Sequence, residues 1–126
     1  MKAKLTYTGI RVKDLEKSVD FYTKLLGMKE VGRANIAVAD GIAVNLESEP
    51  GGHNIELNWY SPKSKYNTEY IAGEGLDHLA FQVDNLDAAL EEARKAGHPP
   101  VLQLQGTTSR WAYIQDPDGI YIELFG

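Results

Sequence analysis

"IRVKDLEKS" (10–18) and "FQVDNLDAA" (81–89) share one layout. Superimposing them sets Val12 against Val83, Leu15 against Leu86 and the capping residue Asp14 against Asn85. The same register sets Tyr7 against His78. Further along, "NIELNW" (54–59) superimposes on "YIELFG" (121–126) and sets Glu56 against Glu123. The offsets are 71 and 67 residues, so one register with a small loop difference accounts for both. The chain therefore reads as an internal duplication of a β-α-β-β-β unit.

The pattern within each half supports that reading. "LTYTGIRV" (5–12) alternates as a strand, with Thr6, Thr8, Ile10 and Val12 on one face and Leu5, Tyr7, Gly9 and Arg11 on the other. Asp14 can cap a helix whose apolar stripe is Leu15, Val19, Tyr22 and Leu26, with Gly27 as its left-handed end. "IAVADGIAVNLE" (36–47) predicts a hairpin on a two-residue type I′ turn at Asp40-Gly41. A loop over 47–53 leads to a strand over 54–59. In the second half, a strand over 76–83 precedes a helix capped by Asn85 and lined by Leu86, Leu90 and Ala93. Gly97 ends that helix, and Pro99 and Pro100 prevent its return. Strands follow at 101–105, 111–115 and 120–125, the last two joined by the turn "DPDG" (116–119). The expected fold class is α+β: two paired βαβββ modules, about 1–59 and 76–126, joined by a connector at 60–75 within one domain of residues 1–126.

Composition limits the function. A chain of 126 residues can bury a core without disulfides. It has no cysteine, which excludes disulfides, thiolate metal sites and a cysteine nucleophile and fits a reducing compartment. No apolar run approaches the ~18 residues of a membrane span. The N-terminal "MKAKLTYTGIRV" lacks the apolar stretch of a signal peptide, so a cytoplasmic protein is expected. A net charge of -5 argues against nucleic-acid binding, which calls for a basic surface.

The chemistry lies in the strand faces. Ile10, Phe81, Ile55, Leu57, Ile122 and Leu124 fall on the sides covered by helices. The opposite sides carry Tyr7, Arg11, Glu56, Asn58, His78, Gln82, Tyr121 and Glu123. Curled sheets from two related modules could bring these faces together around a cleft. Two ionised glutamates in one cleft repel each other and lose hydration unless they are paired or bound to a metal. Oxygen and imidazole donors without thiolate suit Zn²⁺, Ni²⁺, Co²⁺, Mn²⁺ or Fe²⁺. The plainer reading is that each glutamate, and the histidine, simply faces solvent on its strand.

The arrangement resembles the vicinal oxygen chelate superfamily, that of glyoxalases, bleomycin-resistance proteins and dioxygenases. The stretches that carry the resemblance are "IRVKDLEKSVDFYTKLLGM" (10–28), "HNIELNW" (53–59), "LDHLAFQVDNLDAA" (76–89) and "YIQDPDGIYIEL" (113–124). Within it, small bacterial glyoxalases I are the nearest in look. The resemblance implies a U-shaped cleft around a divalent metal and a homodimer acting on a small-molecule substrate. It places the metal ligands at Glu56, His78 and Glu123, with Tyr7 at the fourth position. Tyr7 departs from the usual His, Gln or Glu, and a neutral phenol is a poor ligand. That leaves it as a weak ligand, a nearby hydrogen-bond donor or a sign that the metal has been lost.

The activity implied is that of a metal-dependent lyase or isomerase passing through a metal-stabilised enediolate, with Glu123 or its mate Glu56 moving the proton. Arg11 matches an arginine that helps to bind the glutathione carboxylate. Tyr60 stands where an asparagine is usual, with Asn58 two residues earlier as the substitute, which puts glutathione itself in question. Two other functions share the pattern: a metal-free binding protein of the bleomycin-resistance type and an acyl-coenzyme A epimerase. His53 reads as a loop residue and His98 as a dipole partner at the helix end. Trp59 and Trp111 suit a cleft wall or a core equally, and Tyr66 and Tyr70 lie in the connector.

Overall fold

The computed structural model describes residues 1, 2, 4, 6–71, 74, 76, 78–105 and 110–126. Leu5 and Asp77 of the expected strands, and connector positions Ala72, Gly73 and Gly75, lie outside the described residues. The chain divides into two compact units, Met1–Glu69 and Tyr70–Gly126.

The first unit holds β1 (Tyr7–Arg11), α1 (Leu15–Asp20), β2 (Lys29–Ile36), β3 (Gly41–Glu47) and β4 (Asn54–Tyr60). Its sheet order is β1-β4-β3-β2, with β1 parallel to β4 and the other pairs antiparallel. The second unit holds β5 (His78–Gln82), α2 (Leu86–Lys95), β6 (Leu102–Gln105), β7 (Arg110–Gln115) and β8 (Tyr121–Phe125). Its order, β5-β8-β7-β6, repeats the first with the same directions. The duplication extends to the ladder. Tyr7 pairs with Asn54 and Gly9 with Glu56. Their counterparts His78 and Ala80 pair with Tyr121 and Glu123.

Both helices begin as their caps dictate. The Asp14 carboxylate accepts the Lys17 N–H at 3.1 Å, and the Asn85 side chain accepts the Ala88 N–H at 3.0 Å. Both end at glycines with positive φ, 73° at Gly27 and 90° at Gly97. The first helix departs from regular spacing. After Asp20 it widens into a π-helical segment, Phe21–Leu25, with the Leu26 N–H bonded to the Phe21 carbonyl at 3.2 Å. The extra residue per turn lets Phe21 join Tyr22 in the core, their rings edge to face at 5.0 Å. The second helix buries Leu86, Leu90 and Ala93, as its periodicity predicts. At its end the His98 N–H bonds the Ala93 carbonyl. The His98 ring stands at the helix end as expected, and its Nδ1 donates to the Gln115 carbonyl at 2.8 Å, which ties that end to β7.

Two features of the first hairpin correct the sequence reading. Strand β2 runs eight residues, seven of them exposed, and shows no alternation by which to recognise it. It is an edge strand with a bulge between Glu30 and Gly32, and it is charged. Arg33 on it bonds Glu16 and Glu30, and these hydrogen bonds, Glu16 first, push its guanidinium further toward the protonated form. The turn is not a two-residue type I′. Ile36 pairs with Gly41, and Ala37–Ala39 form a 3₁₀ turn closed by Asp40 alone at φ 49°. Gly41 is buried strand, and a Cβ there would sit 2.5 Å from the Trp59 carbonyl oxygen and 2.7 Å from the Tyr60 ring. Its role is close approach, not the turn.

In the second unit the "DPDG" turn forms as expected around Asp116. Its buried carboxylate accepts the N–H groups of Asp118 and Ile120, each at 2.8 Å, and Gly119 takes φ 86°. Arg110 at the start of β7 makes two bonds to Asp87 in the first turn of α2, and these hold the Asp87 carboxyl below its ordinary range. Among the described residues no helix is long and apolar enough to cross a membrane.

Because a backbone carbonyl opposite Gly41 cannot rotate aside, Gly41→Ala is expected to destabilise the protein by about 1–3 kcal/mol. Urea denaturation should show a lower midpoint with an unchanged slope. An unchanged midpoint would mean that the glycine is not needed for close approach.

Candidate functional site

In β4 and β8 the residues alternate sharply. Ile55, Leu57, Ile122 and Leu124 are buried under the helices. Glu56 and Glu123 therefore lie on the opposite faces, half-buried in the middle of their sheets. Each glutamate is flanked on the first strand by a residue with little side chain, Gly9 or Ala80.

The second unit brings two of the expected donors together. His78 Nε2 lies 3.0 Å from Glu123 Oε2, with both side chains largely shielded. Tyr113, directly opposite Glu123 in the ladder, sets its hydroxyl 3.5 Å from the same carboxylate oxygen. Its ring meets the His78 ring edge to face at 5.3 Å. Tyr113 is the residue that the sequence reading missed. The signal was present: the short turn between β7 and β8 sets the register that places Tyr113 across from Glu123.

The first unit offers the matching positions with different chemistry. Tyr7, the counterpart of His78, is 50% exposed, and Glu56 lies between Gly9 and Asn45 in the ladder. The side-chain oxygens of Asn45 and Asn54 are withdrawn from solvent without a hydrogen-bond partner. Such acceptors call for a donor or a cation. Asn58 turns its amide back to the Glu56 carbonyl at 3.2 Å, over Gly9. Arg11, at the far end of β1, donates to the Thr68 hydroxyl at 2.5 Å and lies 6.0 Å from the Tyr60 ring centroid. Lys13 beside it reaches Asn67 and Glu69, so residues 60–69 are tied to this unit. The remaining aromatic and histidine positions are local. The Tyr66 ring packs on Tyr60 at 5.5 Å, the Tyr70 hydroxyl donates to the Leu76 carbonyl, and His53 bonds Thr8 at 2.8 Å.

Residues 4–124 match the sequence profile of the Glyoxalase/Bleomycin resistance protein/Dioxygenase superfamily. The chain belongs to that superfamily. It is similar along its length to lactoylglutathione lyases. It is 34% identical to the lactoylglutathione lyase of Escherichia coli O157:H7, over 96% of this chain and 90% of that protein. It is 33% identical to the probable lactoylglutathione lyase of Vibrio parahaemolyticus, over 96% and 88%. Among solved structures, the trypanothione-dependent glyoxalase I of Leishmania major superimposes with a TM-score of 0.83 at 28% identity, covering 99% of this chain and 87% of that one. The glyoxalase-like α+β fold is thus shared with enzymes of that type.

The donor chemistry suits a divalent metal. Glu123 and His78 are already within hydrogen-bond reach of each other, and Glu56 has partnerless amide oxygens on its face. Oxygen and imidazole donors without thiolate match Zn²⁺, Ni²⁺, Co²⁺, Mn²⁺ and Fe²⁺. Among the described residues no three His, Asp or Glu side chains group together, and the closest pairing of the expected donors is that of His78 with Glu123.

Tyr7 is the chemical exception in the duplicated set. Tyr7→His is expected to tighten Zn²⁺ binding roughly tenfold or more, measured by isothermal titration calorimetry. Equal affinity in the two proteins would remove position 7 from the metal site.

Proposed function

We propose that the chain is a cytoplasmic, homodimeric, metal-dependent lyase of the lactoylglutathione lyase type. Its substrate would be a thiol adduct of a small 2-oxoaldehyde, which presents two oxygens on adjacent carbons. The observation that carries this reading is the His78–Glu123 pair at 3.0 Å, repeated in register as Tyr7 and Glu56 in a chain similar to such lyases over its length.

In this proposal Glu56, His78 and Glu123 hold the ion, and Tyr7 lies beside it. The bound ion would act as a Lewis acid toward the vicinal oxygens and stabilise negative charge that develops there. Glu123 takes the proton from the carbon that bears the hydroxyl and returns it to the neighbouring carbon. Glu56, its counterpart, offers the second carboxylate on the other side of the duplication. His78 would ligate the ion through an imidazole nitrogen; in the structure its Nε2 lies 3.0 Å from Glu123 Oε2, so both donors already point to one place. Arg11 and Asn58 bind the thiol carrier, Arg11 by leaving Thr68 for an anionic group on it.

The test combines stability with turnover. Zn²⁺, Ni²⁺, Co²⁺ or Mn²⁺ at a hundred times its Kd should stabilise the native protein by ~2.7 kcal/mol, read as a rise in Tm. Glu123→Gln should shrink that rise and reduce kcat on a hemithioacetal by ~10²-fold or more. No rise with any of these ions would instead support a metal-free binding protein, which the phenol at position 7 favours.

A further inference from the structure

The face that carries His78 and Glu123 has a second property. Trp111, Tyr113 and Tyr121 lie on it, all half-buried. Their rings form a continuous series away from His78. Tyr113 lies 5.3 Å from His78, Trp111 lies 5.3 Å from Tyr113, and Tyr121 lies 6.1 Å from Tyr113. The contacts are edge to face, with interplanar angles of 73° to 78°. That geometry satisfies the rings' quadrupoles without stacking ring on ring, so a planar group can still lie against a face.

The duplication supplies an internal control. Tyr113 lies opposite Glu123, and its counterpart opposite Glu56 is Asn45. Tyr121 lies opposite His78, and its counterpart opposite Tyr7 is Asn54. Trp111 lies opposite Phe125, and Ala43 takes that place opposite Asn58. The same ladder thus carries amides and a methyl group in one unit and three aromatic rings in the other. The fold does not demand the rings. The core of the second sheet is made by Ala112, Ile114, Ile122 and Leu124 on the other face, each 2% exposed or less. Large aromatic surface left half-open beside the hydrogen-bonded His78 and Glu123 is an arrangement that a ligand explains and the core does not.

We propose that Trp111, Tyr113 and Tyr121 form a subsite for a neutral planar substituent on the substrate, so that thiol adducts of aryl 2-oxoaldehydes are preferred to those of methylglyoxal. This rests on the lyase reading above and names its substrate class. Glu123 next to the rings is already engaged by His78. The substituent that the rings accept is therefore uncharged.

The experiment compares the hemithioacetals that phenylglyoxal and methylglyoxal form with glutathione. It also measures binding of S-mandeloylglutathione and S-lactoylglutathione through tryptophan fluorescence. The wild type should favour the aryl compound about tenfold or more in both kcat/KM and Kd, and Trp111→Ala should reduce that preference about tenfold. Trp111→Phe, which keeps a ring, should keep most of it, and circular dichroism confirms that each variant is folded. An aryl-to-methyl ratio unchanged by Trp111→Ala, or absent in the wild type, would overturn the proposal. A loss of dimer mass in Trp111→Ala with an unchanged ratio would also overturn it and assign the face to a second copy of the chain. If the wild type turned over neither adduct, the lyase reading with glutathione as the thiol would fall. The mandeloyl-to-lactoyl binding ratio would then decide the subsite by itself.

Discussion

In each unit the first strand lies parallel to the last, and the ladder between them decides which side chains meet water. Side chains alternate along a strand, so a slip of one residue in β1–β4 or β5–β8 would carry the glutamate into the core and an isoleucine or leucine out of it. Burying Ile55, Leu57, Ile122 and Leu124 locks the register. At ~25 cal/mol per Å² of apolar surface, those four side chains outweigh any preference of the polar row for another position. The helix between the paired strands is what makes a parallel pair possible, since that connection needs a crossover. The caps at Asp14 and Asn85 therefore serve the site at a distance by fixing where each crossover begins.

That register explains why the polar row can be unusual. A central strand face lined with a carboxylate, an imidazole and partnerless amide oxygens is unfavourable in a bare sheet. The second unit offsets part of this by placing His78 against Glu123 and Tyr113 beside both. The first unit has no imidazole at the corresponding place; Tyr7 there is half exposed, and the Asn45 and Asn54 oxygens are left without partners. Two copies of one ladder have diverged, one toward amides and the other toward aromatic rings. The divergence falls on the polar row, while the core faces of both units stay apolar.

Much of this was legible in the sequence. The caps, the glycine helix ends, the alternation in 54–59 and 121–125 and the offset between the halves are local signals, and each has its physical counterpart in the structure. Strand β2 was not legible, because an exposed edge strand has no apolar face to betray its period. The turn at Asp40-Gly41 was misread for another reason. Glycine serves both positive φ and close approach, and only the neighbouring strand, with the Trp59 carbonyl and the Tyr60 ring, distinguishes the two. The place of Tyr113 opposite Glu123 could be read from the short turn between β7 and β8, but its contact with the His78 ring depends on the parallel β5–β8 pairing, a nonlocal property.

The central proposal is that Glu56, His78 and Glu123 supply the ligands of a divalent metal. Native mass spectrometry of untagged protein, purified without chelator, tests it most directly. The account predicts a dimer of the 14.0 kDa chain that carries one divalent ion per chain and loses it in His78→Ala. A metal-free mass that stays metal-free after Zn²⁺ is added, or an ion retained in full by that variant, would contradict it.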